Sequence, residues 1–297
     1  MYVDTFSLDV STRAPTGQTN AYLVSGEPVV GDTDAGPRSD DTDHEPPSDD
    51  ADAESGTAER ADTDPETETL LIDPAARSET LDTVVHEKGL DHVAVTHTHP
   101  DHVDAVAHYA TTTDATVWAR RWRTDRFREA TGVDPDRTFL DGDAVGPARV
   151  SDTPGHAPDH VAFETARGVV CGDLAVATGS VAVAAPEGDV RAYLASLRRL
   201  LARDPPRLYP GHGPVIDDPR GTCERLLAHR RDRERAVREA VAGGARDLES
   251  VVDDAYETDV SGVRDLARAT VVAHLEKLAA EGHLRWDPTT ERVSPVT

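Results

Sequence analysis

His97-Thr98-His99-Pro100-Asp101-His102 puts three imidazoles and a carboxylate within six residues. The stretch follows a short apolar run, Val93-Ala94-Val95, that reads as a buried strand. It precedes an apolar-periodic segment that reads as a helix. In an extended chain residues two apart point to the same side, so His97 and His99 present their rings to one point. Pro100 then starts the helix, where its missing N–H costs nothing. Asp101 and His102, on that first turn, aim in other directions and can serve a second metal. Imidazole and carboxylate suit zinc, and also iron or manganese. A polar strand-to-helix loop carries one such residue incidentally, not four.

Three later stretches supply what the cluster lacks. Thr153-Pro154-Gly155-His156 is a turn-forming loop ending in His. Val169-Val170-Cys171-Gly172-Asp173 reads as a strand ending in Gly-Asp. Tyr209-Pro210-Gly211-His212-Gly213-Pro214 is a tight Pro/Gly loop around a His. Each donor sits at a strand end or in a rigid turn, where a scaffold can hold it. Together with the first cluster they make five His and two Asp, enough for two adjacent metals. Two divalent cations about 3.5–4 Å apart lower the pKa of a shared water towards ~7 and polarise a carbonyl or phosphoryl oxygen. No Ser or Cys nucleophile stands out, so the pattern specifies hydrolysis more tightly than the bond hydrolysed.

The elements that must carry these residues read as follows. Tyr2 to Leu8 alternates like a half-buried strand, and Thr19 to Val24 reads as its neighbour. Thr69-Leu70-Leu71-Ile72-Asp73 is a further strand, with Asp73 where a turn begins. A helix from about Ala76 to Lys88 stops at Gly89. After the strand Val93–Val95 a helix runs from Pro100 to about Tyr109. Val117-Trp118-Ala119 is strand-like, Arg121 to Ala130 is an Arg-rich helix, and alternating strands and helices continue to about Ala202. The texture is α/β with mixed sheets, since the connections include hairpins as well as crossovers.

The 297 residues accommodate one large domain with a small appendage. No apolar run is long enough to span a membrane and no secretory pattern opens the chain, so a soluble cytoplasmic protein is expected. Cys171 and Cys223 are the only cysteines, which excludes a disulfide framework and argues against a thiolate metal site. The net charge is −25, and Lys88 and Lys277 are the only lysines. Such a surface suits concentrated salt and points to a halophilic cytoplasm. Residues 27–68 hold sixteen acidic residues and two arginines, with almost no large apolar side chain. That stretch reads as a disordered acidic insertion in a hairpin connection.

Beyond Pro214 the chain reads as helical. Thr222 to Ala242 carries Arg225, Arg230, Arg231, Arg233, Arg235 and Arg238 among acids, as a long salt-bridged helix. Asp247 to Tyr256 is a second helix. In Arg264 to Glu281, Leu266, Val271, Leu275 and Leu278 form an apolar stripe. His283 to Trp286 and Arg292-Val293 can form a small hairpin, and helix, helix, hairpin is the outline of a winged helix. Two domains follow: residues 1–219, catalytic, with the insertion at 27–68, and residues 220–297, a winged-helix-like module. Arg230, Arg231 and Arg233 are its candidates for holding a nucleic-acid substrate.

The motifs Thr96-His97-Thr98-His99-Pro100-Asp101-His102, Thr153-Pro154-Gly155-His156, Gly172-Asp173 and Gly211-His212-Gly213 resemble, in order and spacing, those of metallo-β-lactamase-fold hydrolases. Within that superfamily the chain is similar to the β-lactamase-like-protein-2 group, which includes a single-strand-specific endoribonuclease. Thr19 to Val24, Thr153 to His160, and Tyr209 to Ile216 carry this narrower likeness. The resemblance implies a four-layer αββα sandwich with the metals at one edge. It implies that His97, His99 and His156 hold one metal, that Asp101, His102 and His212 hold the other, and that Asp173 bridges. Asp101 and Asp173 are then the catalytic carboxylates, and Asp73 orients ligands from behind. Two Zn2+ per chain are expected. The expected substrate is single-stranded RNA, with a thioester or small ester, as in glyoxalase II, as the alternative. A winged-helix binding protein on a retained hydrolase fold is the non-enzyme reading, which a complete set of seven donors argues against.

Overall fold

Every side chain of Ala21-Tyr22-Leu23-Val24 is buried, so this strand is covered on both faces rather than one. Alternate residues separate into two cores. Ala21 and Leu23 pack with Leu71, Val93 and Val117, whereas Tyr22 and Val24 pack with Leu70, Ile72 and Ala94. The computed structural model, which describes residues 1–12, 14, 17–29 and 67–296, shows why. One sheet runs in sequence order through β1 (Tyr2–Asp9), β2 (Gln18–Gly26), β3 (Glu68–Ile72), β4 (His92–Ala94), β5 (Thr116–Arg120) and β6 (Arg137–Phe139). A second has the order β11 (Leu208–Pro210), β10 (Gly168–Gly172), β9 (Val161–Thr165), β8 (Ala148–Asp152), β7 (Ala144–Val145). The sheets face each other across Tyr22, Ile72, Phe139, Phe163 and Val170.

Helices cover the two outer faces. Leu81 and Val85 of α1 (Glu79–Lys88), Val106 and Tyr109 of α3 (Val106–Thr112) and Phe127 of α4 (Thr124–Thr131) pack on the first sheet. Leu194, Leu197 and Leu200 of α5 (Val190–Arg203) pack on the second, with Cys223 and Leu226 of α6 (Pro219–Gly243). The layers are helix, sheet, sheet, helix, as the resemblance implies. Strands β3, β4, β5 and β6 pair in parallel, as do β10 and β11, so their C-terminal ends gather the segments that follow them.

Local signals moved several boundaries. Ser78 caps α1 by accepting from the Leu81 N–H, so the helix starts at Glu79 rather than Ala76. The helix expected from Pro100 to Tyr109 is two pieces, α2 (Pro100–Val103) and α3. The Ala105 N–H donates to the Pro74 carbonyl at 2.9 Å instead of to the preceding turn, and this breaks the ladder. Residues 121–123 form a turn before α4, with Trp122 at a φ of 62°. Between β6 and α5 the chain is strands and loops without a helix, not a continued alternation.

The acidic stretch at 27–68 lies for the most part outside the described residues, but its flanks do not. Gly26 and Glu68 are direct partners in the antiparallel pairing of β2 and β3. A short turn can therefore join them. Replacing residues 28–66 with about four Gly/Ser residues shortens the connection roughly tenfold, which loop-closure entropy makes favourable by about 2 kcal/mol. Turnover in concentrated salt should be retained and the melting temperature equal or higher. A large fall in either would show that the stretch contributes contacts of its own.

The C-terminal segment has its own apolar cluster. Val237 and Val241 of α6, Val251 and Val252 of α7 (Leu248–Ala255), and Val271, Leu275 and Leu278 of α8 (Arg264–Ala280) meet Leu284 and Val293 of a hairpin, β12 (Leu284–Asp287) and β13 (Arg292–Pro295). Leu266 is not part of that stripe. It is 37% exposed because the buried face steps back from Val271 to Ala267, one residue away. His274 of α8 is fully buried, and neither of its ring nitrogens has a hydrogen-bond partner. Burial, and then Arg230, Arg233 and Lys277 nearby, push its pKa down to about 3. A folded pKa below the unfolded value means that the unfolded chain takes the proton first. This stability is complete above about pH 6.5 and is lost as pH falls towards 3, at about 1.4 kcal/mol per pH unit. His274→Leu should match the parent at pH 7.5 and exceed it by about 1–2 kcal/mol in denaturant unfolding at pH 5. Equal pH slopes would show that His274 reaches solvent.

Candidate metal centre

Each of the five histidines has one ring nitrogen tied to an oxygen and the other turned inward. His97 Nδ1 lies 3.1 Å from Thr96 Oγ1, and His102 Nδ1 lies 3.0 Å from Asp73 Oδ2. His156 Nδ1 donates to the Ala182 carbonyl at 2.7 Å and His212 Nδ1 to the Gln18 carbonyl at 2.8 Å. His99 is turned the other way: its Nε2 donates to Glu187 Oε2 at 3.1 Å, leaving Nδ1 to face inward. Fixing the outer nitrogen orients the ring and turns the inner one to the enclosed space, with a lone pair on it wherever the ring is neutral.

The inner nitrogens converge. His99 Nδ1 lies 3.0 Å from His97 Nε2 and 2.8 Å from His156 Nε2. Three lone pairs in one place repel unless a cation sits among them. A tetrahedral zinc site spaces its donors by about 3.3 Å, close to what is seen. Donor atoms of His97, His102 and Asp173, and of Asp101, His102 and His212, also lie within 4.8 Å of one another. Asp173 is the hub, 3.5 Å from both His156 Nε2 and His212 Nε2 and 3.7 Å from His102 Nε2. Three inward atoms, His102 Nε2, His212 Nε2 and Asp173 Oδ1, are buried without a hydrogen-bond partner. Orphaned buried atoms are expensive, and these three belong to candidate ligands whose donor atoms lie close enough together to hold cations. All seven candidate ligands are thus brought together.

The electrostatics agree. Burial opposes ionisation of Asp173, but the His212, His156 and His102 rings outweigh it and hold the carboxyl far below the usual range. Burial likewise opposes the His212 imidazolium, yet Asp101 and Asp173 raise its pKa to about 10. His97, buried among other imidazoles, is held well below the usual histidine range.

Asp73 stands behind the centre. It is fully buried and accepts from the Thr96 N–H at 2.6 Å and the Thr96 hydroxyl at 2.7 Å, besides holding His102. Its φ of 53° bends the chain where β3 ends. Other positions were missed as site residues. His160, fully buried, accepts the Asp173 N–H at 3.1 Å, and its pKa is depressed to about 3 by burial and the neighbouring rings. Asp159 accepts from the Thr98 N–H and hydroxyl. Arg126 clamps Glu187 with two bonds, 2.8 and 2.7 Å, and donates to Thr98 Oγ1 at 2.7 Å. Asn20 donates to the Pro210 and Gly213 carbonyls, and Tyr22 to that of Pro210, securing the His212 loop. Asp159 and His160 lie in a stretch already singled out by its likeness. Nothing local marks Glu187, which reaches His99 from 88 residues away.

The proposed substrate arginines are not a surface. Arg230 is 3% exposed, packs 5.6 Å from the Tyr193 ring centre and donates to the Val181 carbonyl. Arg233 stacks 3.6 Å over the Tyr256 ring and donates to the Ala255 carbonyl at 2.5 Å. Only Arg231 of the three is solvent-exposed. A guanidinium flanked by aromatic rings and free carbonyls packs inward, and α6 is accordingly tied to its neighbours more than laced by surface ion pairs.

Comparison with known proteins agrees with this geometry. The chain is similar to a protein of Drosophila melanogaster named Beta-lactamase-like protein 2 homolog, 31% identical over 222 residues, which are 69% of this chain and 74% of that one. It is 29% identical over 173 residues, 57% of this chain and 52% of the relative, to the Atrochrysone carboxyl ACP thioesterase of Aspergillus fumigatus. A metallo-beta-lactamase family protein from Thermus thermophilus shares the fold with a TM-score of 0.69 at 20% identity, covering 99% of this chain and 98% of that one. The model of the metallo-beta-lactamase superfamily matches residues 63–212, the span that holds every proposed ligand. The chain belongs to the metallo-beta-lactamase superfamily and is a metal-dependent hydrolase.

Proposed function

We propose that the chain binds two divalent cations, zinc foremost, and hydrolyses phosphodiester bonds in single-stranded RNA. The observation that carries the metal assignment is the convergence of seven donors: the five imidazoles each have the outer nitrogen tied to an oxygen, and His102 Nε2, His212 Nε2 and Asp173 Oδ1 are buried without a hydrogen-bond partner. His97, His99 and His156 hold one cation, Asp101, His102 and His212 the other, and Asp173 serves both. Bound there, the cations supply Lewis acidity and an activated water. Asp101 and Asp173 present carboxylate oxygens to the enclosed space and accept a hydrogen bond from the attacking water. Asp73, Glu187 and the Ala182 and Gln18 carbonyls keep the rings in register while charge develops. Residues 1–219 form the catalytic unit. Residues 220–297 are a winged-helix-like module that packs beside it: Cys223, Leu226, Leu227 and Ala273 join the core of the second sheet, and the residues from Val237 onward form an apolar cluster of their own.

The choice of RNA rests on the motif likeness to the β-lactamase-like-protein-2 group. Thioester hydrolysis is the second reading, favoured by the similarity to an acyl-carrier-protein thioesterase. Zinc-loaded protein incubated in concentrated salt with labelled single-stranded RNA and with an acyl-glutathione thioester separates them. Endonucleolytic cleavage without appreciable thioester turnover is expected. The reverse result would give the thioester reading the lead.

A further inference from the structure

The turn Arg121-Trp122-Arg123 has no part in the centre described so far. Trp122 is 79% exposed, and its φ of 62° lies in the left-handed region that a bulky side chain adopts only under constraint. The Arg121 guanidinium lies 5.9 Å from its ring centre. Arg121 and Arg123 are exposed, and neither has a carboxylate partner among the described residues. Residues 120–128 hold five arginines in a chain of net charge −25, so the local sign opposes that of the molecule.

The turn is also held beside the metal centre. Arg120, just before it, binds Asp152 with two bonds, 2.9 and 2.6 Å, and Asp152 ends the strand that leads into the His156 loop. Arg126, just after it, donates to Thr98 Oγ1 and clamps Glu187, which in turn holds His99. Two anchored arginines, each tied to a segment that leads to or holds candidate ligands, thus bracket an exposed ring and two arginines without a carboxylate partner among the described residues.

We propose that Arg121-Trp122-Arg123 is a nucleotide-binding lip of the active site. The indole stacks on a base, and the two guanidiniums take the adjoining phosphates. The ligand chemistry, an aromatic base joined to phosphate, occurs both in an RNA strand and in the nucleotide part of a coenzyme A thioester. The lip deepens the hydrolase reading and rests on it, because it supplies flanking recognition to a bond cleaved at the metals.

Binding by the zinc-loaded protein in concentrated salt tests this. One arm uses a 2′-O-methyl phosphorothioate uridine decamer, which resists hydrolysis, and is read by fluorescence anisotropy. The other uses free coenzyme A, which has no thioester to cleave, and is read by calorimetry. Trp122→Gly removes the ring and suits the backbone, so this variant should melt at or above the parent's temperature. It should weaken binding of the preferred ligand roughly tenfold or more, and Arg121→Ser/Arg123→Ser should also weaken it and flatten its salt dependence. Loss in the decamer arm alone assigns the lip to a strand, and loss in the coenzyme arm alone assigns it to the thioester. Parent binding that both variants leave unchanged, or a parent that binds neither ligand, would overturn the lip. Failure of the hydrolase reading is separate: the zinc-loaded parent would then turn over neither RNA nor thioester.

Discussion

Asp173→Asn should lower turnover by about a thousandfold, the scale seen when a central charge-stabilising group is removed, and should reduce bound metal. Asp173 lies within 3.7 Å of three candidate ligand imidazoles and, in the proposed centre, is the carboxylate shared by the two sets. The amide keeps the size of the side chain, so packing against Gly211, whose Cβ position lies 2.6 Å from Asp173 Oδ1, is preserved. Only the charge and one acceptor are lost. In metal-free protein the same change removes the partner of buried imidazoles, and breaking such a buried pairing costs about 3–5 kcal/mol. Steady-state turnover together with metal analysis reads the first effect, and denaturant unfolding of chelated protein reads the second. A variant that keeps the parent's metal content and activity would show that Asp173 is only part of the core.

Gly155→Ala should be nearly as damaging without touching a ligand. Gly155 has a φ of 137°, and a Cβ there would lie 2.3 Å from both the backbone nitrogen and the Cα of Tyr193 in α5. No side-chain rotation relieves a clash with helix backbone, so the loop must move. Its carbonyl also accepts the Asp189 N–H that begins α5. The expected cost is about 3 kcal/mol or more in stability. A displacement of about 1 Å at His156 would lower turnover by a further hundredfold. Gly213→Ala is the control: its φ is also positive, at 77°, but nothing lies within 4 Å of the added Cβ. That variant should lose only about 1–2 kcal/mol. Equal losses in the two variants would make backbone strain, rather than the approach of α5, the cause.

The ligand loops were legible because the same glycines and prolines that shape them stand beside the ligands. Gly172 must be Gly, since a Cβ would meet Thr96 Oγ1 at 2.5 Å, and Asp173 follows it directly. The strand before the His cluster was legible as buried from its apolar run, Val93-Ala94-Val95, whereas the double coverage of Leu70-Leu71-Ile72 emerged only with the second sheet in place. What stayed hidden depends on tertiary partners. The break at Ala105 is set by the Pro74 carbonyl, 31 positions earlier, and no local propensity encodes it. Arg230 reads as a surface cation until Tyr193 and the Val181 carbonyl are seen beside it. Glu187 lies in a loop of ordinary composition and gains its role only when the second sheet folds over the first.

In the proposed centre seven side chains hold two cations in two sets that share Asp173. Metal analysis by mass spectrometry after dialysis, on the parent and on Asp101→Ala/His212→Ala, tests it most directly. The parent should approach two metals per chain and the double variant one, since only the set of Asp101, His102 and His212 is dismantled. A parent holding one metal, with the double variant unchanged, would contradict the second site and leave a mononuclear centre at His97, His99 and His156.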